Sequence, residues 1–543
     1  MRLLFRTFVA QFAAGETVTS DLQMRRAAAG LVATVITPGL LLLLEVFPDY
    51  QSAVVRVHAH RAPPGLIDDR LEWVVLMLCA YSMATVGLVA TFAWDALAFD
   101  RRDASVLGPL PIAGRTIITA KLAALAALLL GTAAAVNGLN AFVFAFETSD
   151  LLGARALVAH GVGILVATMG AATMVFASIV TLRCVLALWG NARSAAIAGS
   201  LLQGGFVLAL LYFVAVTPFV ASQGVRFAIS QAATDRLPWT WFVGLFEAVR
   251  QSPRREWPEF ATLFHRAALS LAISIGAALG ASILAFRRQM AAALTPSARP
   301  GPLGHARAIR ALARLVAGRD RSAAAIADFV LLTIARNRSQ QGYVAMNVAV
   351  GAAWAMIGVA RGRDAAAAIR AAPLLVAFWA IVGLRAAFFV PSELPAAWVF
   401  RVHARDGMRP LVAGVRASIV AFVLPPTAIA AWIVGGGTFA VSAAAIVVVL
   451  ATASVLTIDF VPFTRPYVPG HARLKTRWPL YAIASAATAY ALPHLPLWAL
   501  VGGAGVLYAL GDYRGRRWTV EPGADLFDDS TITVLDLVGA RGV

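Results

Sequence analysis

Residues 71–102 read LEWVVLMLCAYSMATVGLVATFAWDALAFDRR, a long apolar run that ends on the paired arginines Arg101 and Arg102. An α-helix needs about 20 apolar residues to cross a hydrocarbon core about 30 Å thick. This stretch therefore predicts one membrane crossing with a cationic exit. The same unit recurs along the chain, giving twelve apolar stretches at 27–47, 71–94, 118–142, 157–181, 196–219, 266–286, 341–360, 371–391, 414–434, 438–458, 478–493 and 496–511. The eleventh and twelfth are short enough to be one re-entrant pair.

Arginine gathers in every second connection. Arg2, Arg6, Arg25 and Arg26 precede the first span, Arg101, Arg102, Arg115 and Lys121 follow the second, and Arg183 and Arg193 follow the fourth. The connection after the sixth carries the largest group, from Arg287 to Arg338, and the eighth and tenth are followed by Arg401 to Arg416 and Arg465 to Arg477. Connections of the other parity are short, acidic or mixed in sign, apart from RGRDAAAAIR at 361–370. Positive charge stays on the cytoplasmic side, so both termini are expected in the cytoplasm. The fold class expected is all-α, a polytopic membrane protein of about twelve transmembrane helices in two six-helix halves, N-in and C-in.

Composition agrees with that class. The chain has 60% hydrophobic and 14% charged residues, against about 25% charged in soluble domains. The net charge of +18 is mostly topology and attraction to anionic lipid headgroups. No basic stripe with interleaved aromatics lies on a separable soluble domain, so nucleic acid is not an expected partner. Cys79 and Cys184 make neither a disulfide framework nor a metal cluster.

Five segments follow. Residues 1–26 form an N-terminal amphipathic helix along the membrane, with Arg2 and Arg6 flanking Leu3, Leu4, Phe8 and Val9. The first six-span half is 27–288. A linker at 289–340 opens on the Pro- and Gly-rich seam QMAAALTPSARPGPLG and continues as a basic amphipathic helix into span seven. The second half is 341–511, and a cytoplasmic tail occupies 512–543. The stretch from Ala93 after span two is weakly echoed from Ala397, after the second span of the other half, as an internal duplication would leave. The segment 220–265 is extracytoplasmic in this scheme, and its LPWTWFVGLFEAV suits an interfacial helix or a re-entrant hairpin.

Chemical motifs are scarce. There is no G-x-x-x-x-G-K-[ST] loop to cradle ATP phosphates, so any ATP chemistry belongs to another chain. His58 and His60 lack an acidic or Cys partner at ligand spacing. Catalytic, metal and resident cofactor sites are therefore expected to be absent. Glu45, Glu72 and Asp459 sit at span ends, which argues against ion coupling through a mid-membrane carboxylate. Arg385 is the clear intramembrane charge, either a snorkelling anchor or the lining of a cavity. Asn137 and Asn140 are polar groups at depth, explained by interhelical hydrogen bonding or by contact with a transported molecule. The connection DALAFDRRDASVLGPLPIAGRTIITAK after span two pairs opposite charges with a rigid turn at Pro109 and Pro111.

A surface helix, two spans and then FDRRDASVLGPLPIAGRTIITAK together resemble the permease subunits of type-2 ABC exporters. LPWTWFVGLFE, PSELPAAWVFRVHARDG and VPFTRPYVPGHARLK are similar to stretches of the long, twelve-span bacterial form. The resemblance implies a bacterial inner-membrane location and a separate ATP-binding subunit holding ATP and Mg. It makes Asp100, Arg101, Arg102, Asp103, Leu107, Pro109, Pro111 and Arg115 the ATPase-coupling surface, with Arg2 and Arg6 on the elbow helix. It leaves open whether one chain is the whole transmembrane unit or a homodimer forms. Asn137, Asn140 and Arg385 are the pathway candidates. The function expected is an ATP-driven exporter permease. The alternatives are an ion-coupled secondary carrier and a membrane-embedded lipid-modifying enzyme, which would need paired carboxylates at a membrane–water boundary, where Asp68 and Asp69 in the first external loop are the only adjacent pair.

Overall fold

The computed structural model describes residues 1–14, 47–63, 65–99, 103–104, 107–149, 153–189, 198–199, 201–210, 212, 237–293, 306–360, 365–388, 408–456 and 478–517. Every regular element among them is a helix. Seven helices are long and apolar enough to cross a membrane, which makes the chain a helical membrane protein. It divides into two compact units, Met1–Gly199 with Ala209–Ser297, and Ser200–Leu208 with Ala298–Val543.

The first unit contains α1 (Arg2–Ala14), α2 (residues 47–58), α3 (Gly65–Phe92), α4 (Gly114–Ser149), α5 (Ala154–Ala187), α6 (Pro238–Arg250) and α7 (Pro258–Ala293). In the most apolar window of α3, 94% of residues are buried, against 17% in that of α7. Helix α3 is therefore the unit's axis and α7 its rim. Among apolar helices in lipid, association rests on shape and on small residues that admit a neighbour closely. Gly163 and Gly170 of α5 do this for α6: a Cβ there would stand 3.0 Å from Phe246 and 3.1 Å from Phe242. A Cβ on Gly244 of α6 would lie 2.5 Å from the backbone nitrogen of Phe264 on α7. No residue of α6 is exposed, so this segment is a hairpin arm buried among its neighbours and not a helix lying flat on a surface. The hairpin turns at Gln251 (φ 58°) and at Ser252, whose Oγ accepts from Arg254 N at 3.1 Å.

Two helix starts in the first unit differ from expectation by six residues or more. Helix α3 begins at Gly65 instead of residue 71, so Asp68 and Asp69 belong to its first two turns and not to a loop. Helix α7 begins at Pro258 instead of 266. Hydropathy windows stop at charges, whereas the backbone continues through them while its hydrogen bonds last.

The second unit contains α8 (Ala306–Ala317), α9 (Arg321–Arg336), α10 (Arg338–Ala360), α11 (Ala365–Phe388), α12 (Arg409–Leu456), α13 (Trp478–Tyr490) and α14 (Leu497–Arg517). The single amphipathic helix expected before span seven is two helices. They are separated by Gly318 at φ 70° and by Asp320, which caps α9 by accepting from Ala323 N at 3.0 Å. Helices α10 and α11 meet through glycines: a Cβ on Gly351 would lie 2.9 Å from Leu375 O, and one on Gly383 would lie 2.8 Å from the Asn347 Cβ. Because α11 starts at Ala365, Arg370 is an exposed helical residue, not part of the basic loop expected at 361–370.

Helix α12 has 48 residues and breaks at Gly436 (φ 77°), where a straight helix would run about 70 Å. Both its ends approach Gly511, with Leu456 at 3.9 Å and Val412 at 4.0 Å from the position of a Cβ there. It therefore doubles back at Gly436, and its arms correspond to the expected ninth and tenth spans. Helix α13 has 13 residues, about 20 Å, too short for the eleventh crossing by itself. The expected first span, at 27–47, lies outside the described residues except for its last residue, and the fifth, at 196–219, is described only at 198–199, 201–210 and 212.

Gly244→Ala should cost about 1–3 kcal/mol by forcing α6 from α7, whereas Gly280→Ala, with nothing within 4 Å of its Cβ, should be neutral or slightly stabilising. Thermal unfolding of the two purified variants in detergent distinguishes them; equal losses would contradict the close approach.

Candidate functional site

The first unit carries polar constellations at both ends of α3. At its C-terminal end the chain leaves α3 through a short helix, Trp94–Leu97, and reaches the connector before α4. Helix α1 packs here. Phe8 is buried with Phe99, Ala104, Ile117, Ala120 and Ala124, and Leu107, Ile112 and Phe286 close the cluster. The buried Lys121 Nζ stands 3.8 Å from the Asp103 carboxylate and 4.8 Å from the Phe8 ring centroid. Leu110 N donates to Leu107 O at 3.2 Å, and Ile112 N to Leu110 O at 2.7 Å across Pro111. Two tight turns in succession make the connector stiff. A Cβ on Gly108 would meet Ala104 O at 2.5 Å, so a larger residue there distorts it.

The structure thus brings together Asp103, Leu107, Pro109, Pro111 and Arg115 with the helix that carries Arg2 and Arg6. Pro109, Pro111, Arg115, Arg2 and Arg6 are all exposed. Asp100, Arg101 and Arg102 lie outside the described residues. The pathway candidates fall in different units. Asn137 and Asn140 are buried on α4, where Asn140 Nδ2 donates to Val136 O at 2.8 Å within its own helix. Asn137 Nδ2 and Asn140 Oδ1 are buried without a hydrogen bond. Arg385 is half-buried on α11 of the second unit.

At the other end of α3 lies a site that reading the sequence missed. Arg250, at the end of α6, binds Asp68 at 3.0 Å and Glu247 at 3.2 Å. Arg254, in the turn before α7, binds Asp69 at 2.8 Å, Glu72 at 2.9 Å and the Gly65 carbonyl at 3.0 Å. Asp68 also reaches Arg254 Nε at 3.7 Å and so bridges the two guanidiniums. Nearby, Arg70 binds Asp49 of α2 at 3.0 Å. The buried His160 Nδ1 shares a 2.9 Å hydrogen bond with Thr148 Oγ1. Burial pushes the Glu247 carboxyl above its usual range, against the pull of Arg250. Burial opposes the charge on Arg254, but its hydrogen bonds to Asp69 and Glu72 hold its pKa above the usual arginine value. The signal in the sequence was two blocks of opposite charge, LIDDRLE and RQSPRRE, about 180 residues apart.

Among the described residues no group of three or more His, Cys, Asp or Glu side chains is placed to hold a metal ion. Comparison with family models, with curated proteins and with solved structures gives no match for this chain.

Arg254 is 11% exposed and donates to Asp69, Glu72 and the Gly65 carbonyl. Losing the hydrogen bonds of such a charged group should make Arg254→Gln less stable by about 3 kcal/mol or more, whereas Glu256→Gln, at a site 77% exposed, should stay within about 0.5 kcal/mol. Chemical unfolding of both variants in detergent checks the contrast.

Proposed function

We propose that this chain is the membrane-spanning permease component of an ABC transporter, an exporter of the bacterial cytoplasmic membrane coupled to a separate ATP-binding subunit. The observation that carries the reading is the platform of α1 and the 103–113 connector. Its apolar side is sealed onto α4 through Phe8, Ile117 and Ala120, and its outer side presents Arg2, Arg6, Leu110 and Arg115. A soluble motor needs such a surface, stiff enough to transmit a push and open enough to be gripped.

In this reading ATP and Mg bind on the partner, and its closure presses on Pro109 and Pro111. The connector is tied to α4 by the Asp103–Lys121 pair and the Phe8 cluster. Helix α4 is 36 residues long and continuous, so it moves as a body, and the bundle shifts between packed arrangements. The twelve-span, two-half topology with both termini inside belongs to the same proposal. The enzyme alternative relied on Asp68 and Asp69, both of which are bound by arginines.

This reading expects a phosphate-loop ATPase in an adjacent reading frame, and co-expression with it should yield a complex. Arg101→Glu with Arg102→Glu should lower its membrane-dependent ATPase activity by about tenfold or more, the scale of ~1.4 kcal/mol of lost contact. Impermeant thiol labelling of Pro111→Cys from the outer side of the membrane would end the proposal. Transport by the purified chain alone under an ion gradient would replace it with the carrier reading.

A further inference from the structure

We propose that Glu72 and Glu247 form a proton-binding site that locks the α6–α7 hairpin onto α3. The site is independent of the platform at the opposite end of the unit, so it stands or falls separately from the permease reading.

The charges in the cluster do not balance. Asp68, Asp69, Glu72 and Glu247 face Arg250 and Arg254. The two aspartates are 39% and 64% exposed in their side chains, while Glu72 and Glu247 are 5% and 0% exposed. Solvated and within 3.0 Å of a guanidinium each, the aspartates neutralise the two arginines. The glutamates are then surplus negative charge out of contact with water. Glu247 sharpens the point: Arg250 reaches its Oε2 and Ser252 also bonds the carboxyl, yet Oε1 is fully buried and accepts no hydrogen bond. A carboxylate left so costs several kcal/mol, and taking up a proton removes most of that cost.

Among the described residues, the ion pairs of the two glutamates draw on Arg250 and Arg254. Arg70 is engaged by Asp49 of α2, and Tyr50 of the same helix is a neutral phenol. Glu147 of α4 accepts from Gln51, and His160 of α5 is bound to Thr148. Arg255 pairs with Glu256 at 3.7 Å, and Glu259 of α7 is exposed. The carboxyls are not arranged to enclose a metal ion, which leaves the proton as the ligand.

The consequence is mechanical. Helix α3 supplies Asp68, Asp69 and Glu72, and the hairpin supplies Glu247, Arg250 and Arg254. Protonated, the two faces are neutral overall and cohere. Deprotonated, both faces gain negative charge and the hairpin loosens. The folded state then binds more protons than the unfolded chain, so stability is greatest at acid pH and is lost as pH rises through the folded-state titration.

Infrared spectroscopy of the full-length protein in nanodiscs at pH 7 should show a protonated-carboxyl C=O band that weakens in Glu247→Gln and weakens further in Glu72→Gln/Glu247→Gln. The unfolding constant of the wild type should rise by up to about tenfold per pH unit for each proton released, and Glu247→Gln should flatten that slope while Glu256→Gln leaves it intact. A wild-type spectrum without the band, or a Glu247→Gln variant that keeps the full pH slope, overturns the proposal. The wild-type spectrum decides even where a variant fails to fold.

Discussion

Phe246 lies in the notch that Gly163 leaves on α5, and the first unit depends on this kind of contact. Lipid tails are as apolar as leucine, so nothing squeezes apolar helices together in a bilayer as water squeezes a soluble core. Cohesion has to come from close approach. Here α6 is gripped on one side by Gly163 and Gly170 of α5 and on the other by its own Gly244 against α7. A 13-residue helix makes too few backbone hydrogen bonds to persist alone. Its fit between two long neighbours holds it in place and sets Arg250 and Arg254 over the first turn of α3.

The two ends of α3 handle charge in opposite ways. At the connector end, one buried pair, Lys121 with Asp103, sits beneath arginines and prolines that remain exposed. Exposed charges lose little solvation and stay available to another surface. At the hairpin end, guanidiniums about 11–12% exposed bind carboxyls down to 0% exposed. Such groups are committed inward, because desolvation is repaid only by good geometry with several partners. Asp68 between Arg250 and Arg254 provides that geometry. One end leaves its charges in solvent and the other closes over them.

Hydropathy made the apolar helices legible, since length and composition suffice to identify a crossing. The turn at Pro109 and Pro111 was legible for a different reason: its residues are near neighbours in the chain, and a turn is a local property. The charge cluster was not legible because its partners are 182 residues apart and the carboxylates lie where a hydropathy window ends. Asp68 and Asp69 then read as loop residues, although the helix runs through them. LPWTWFVGLFEAV left an interfacial helix and a re-entrant hairpin open together. Only the packing of Gly244 against α7 separates the two, and that contact is invisible to periodicity. At Gly436 the doubling back of α12 was legible as GGG between two apolar runs, because glycine alone enters φ 77° without strain.

Helix α4 connects the two ends. Its first turns hold Lys121 against Asp103 and Phe8. Its last turns place Phe144 edge-on to Phe246 at 5.9 Å and Thr148 against His160. Phe144 and Phe246 are both fully buried, and a close-packed ring pair tolerates little sliding before contacts are lost. A displacement applied at the connector is therefore resisted at Phe246, and through Phe246 by the hairpin that carries Arg250. Continuity of contact does not by itself establish energetic coupling. It does decide which element would have to yield: α4 cannot translate far while Phe246 remains in the Gly163 notch, so movement at the connector end requires the hairpin to shift with α4 or to release it.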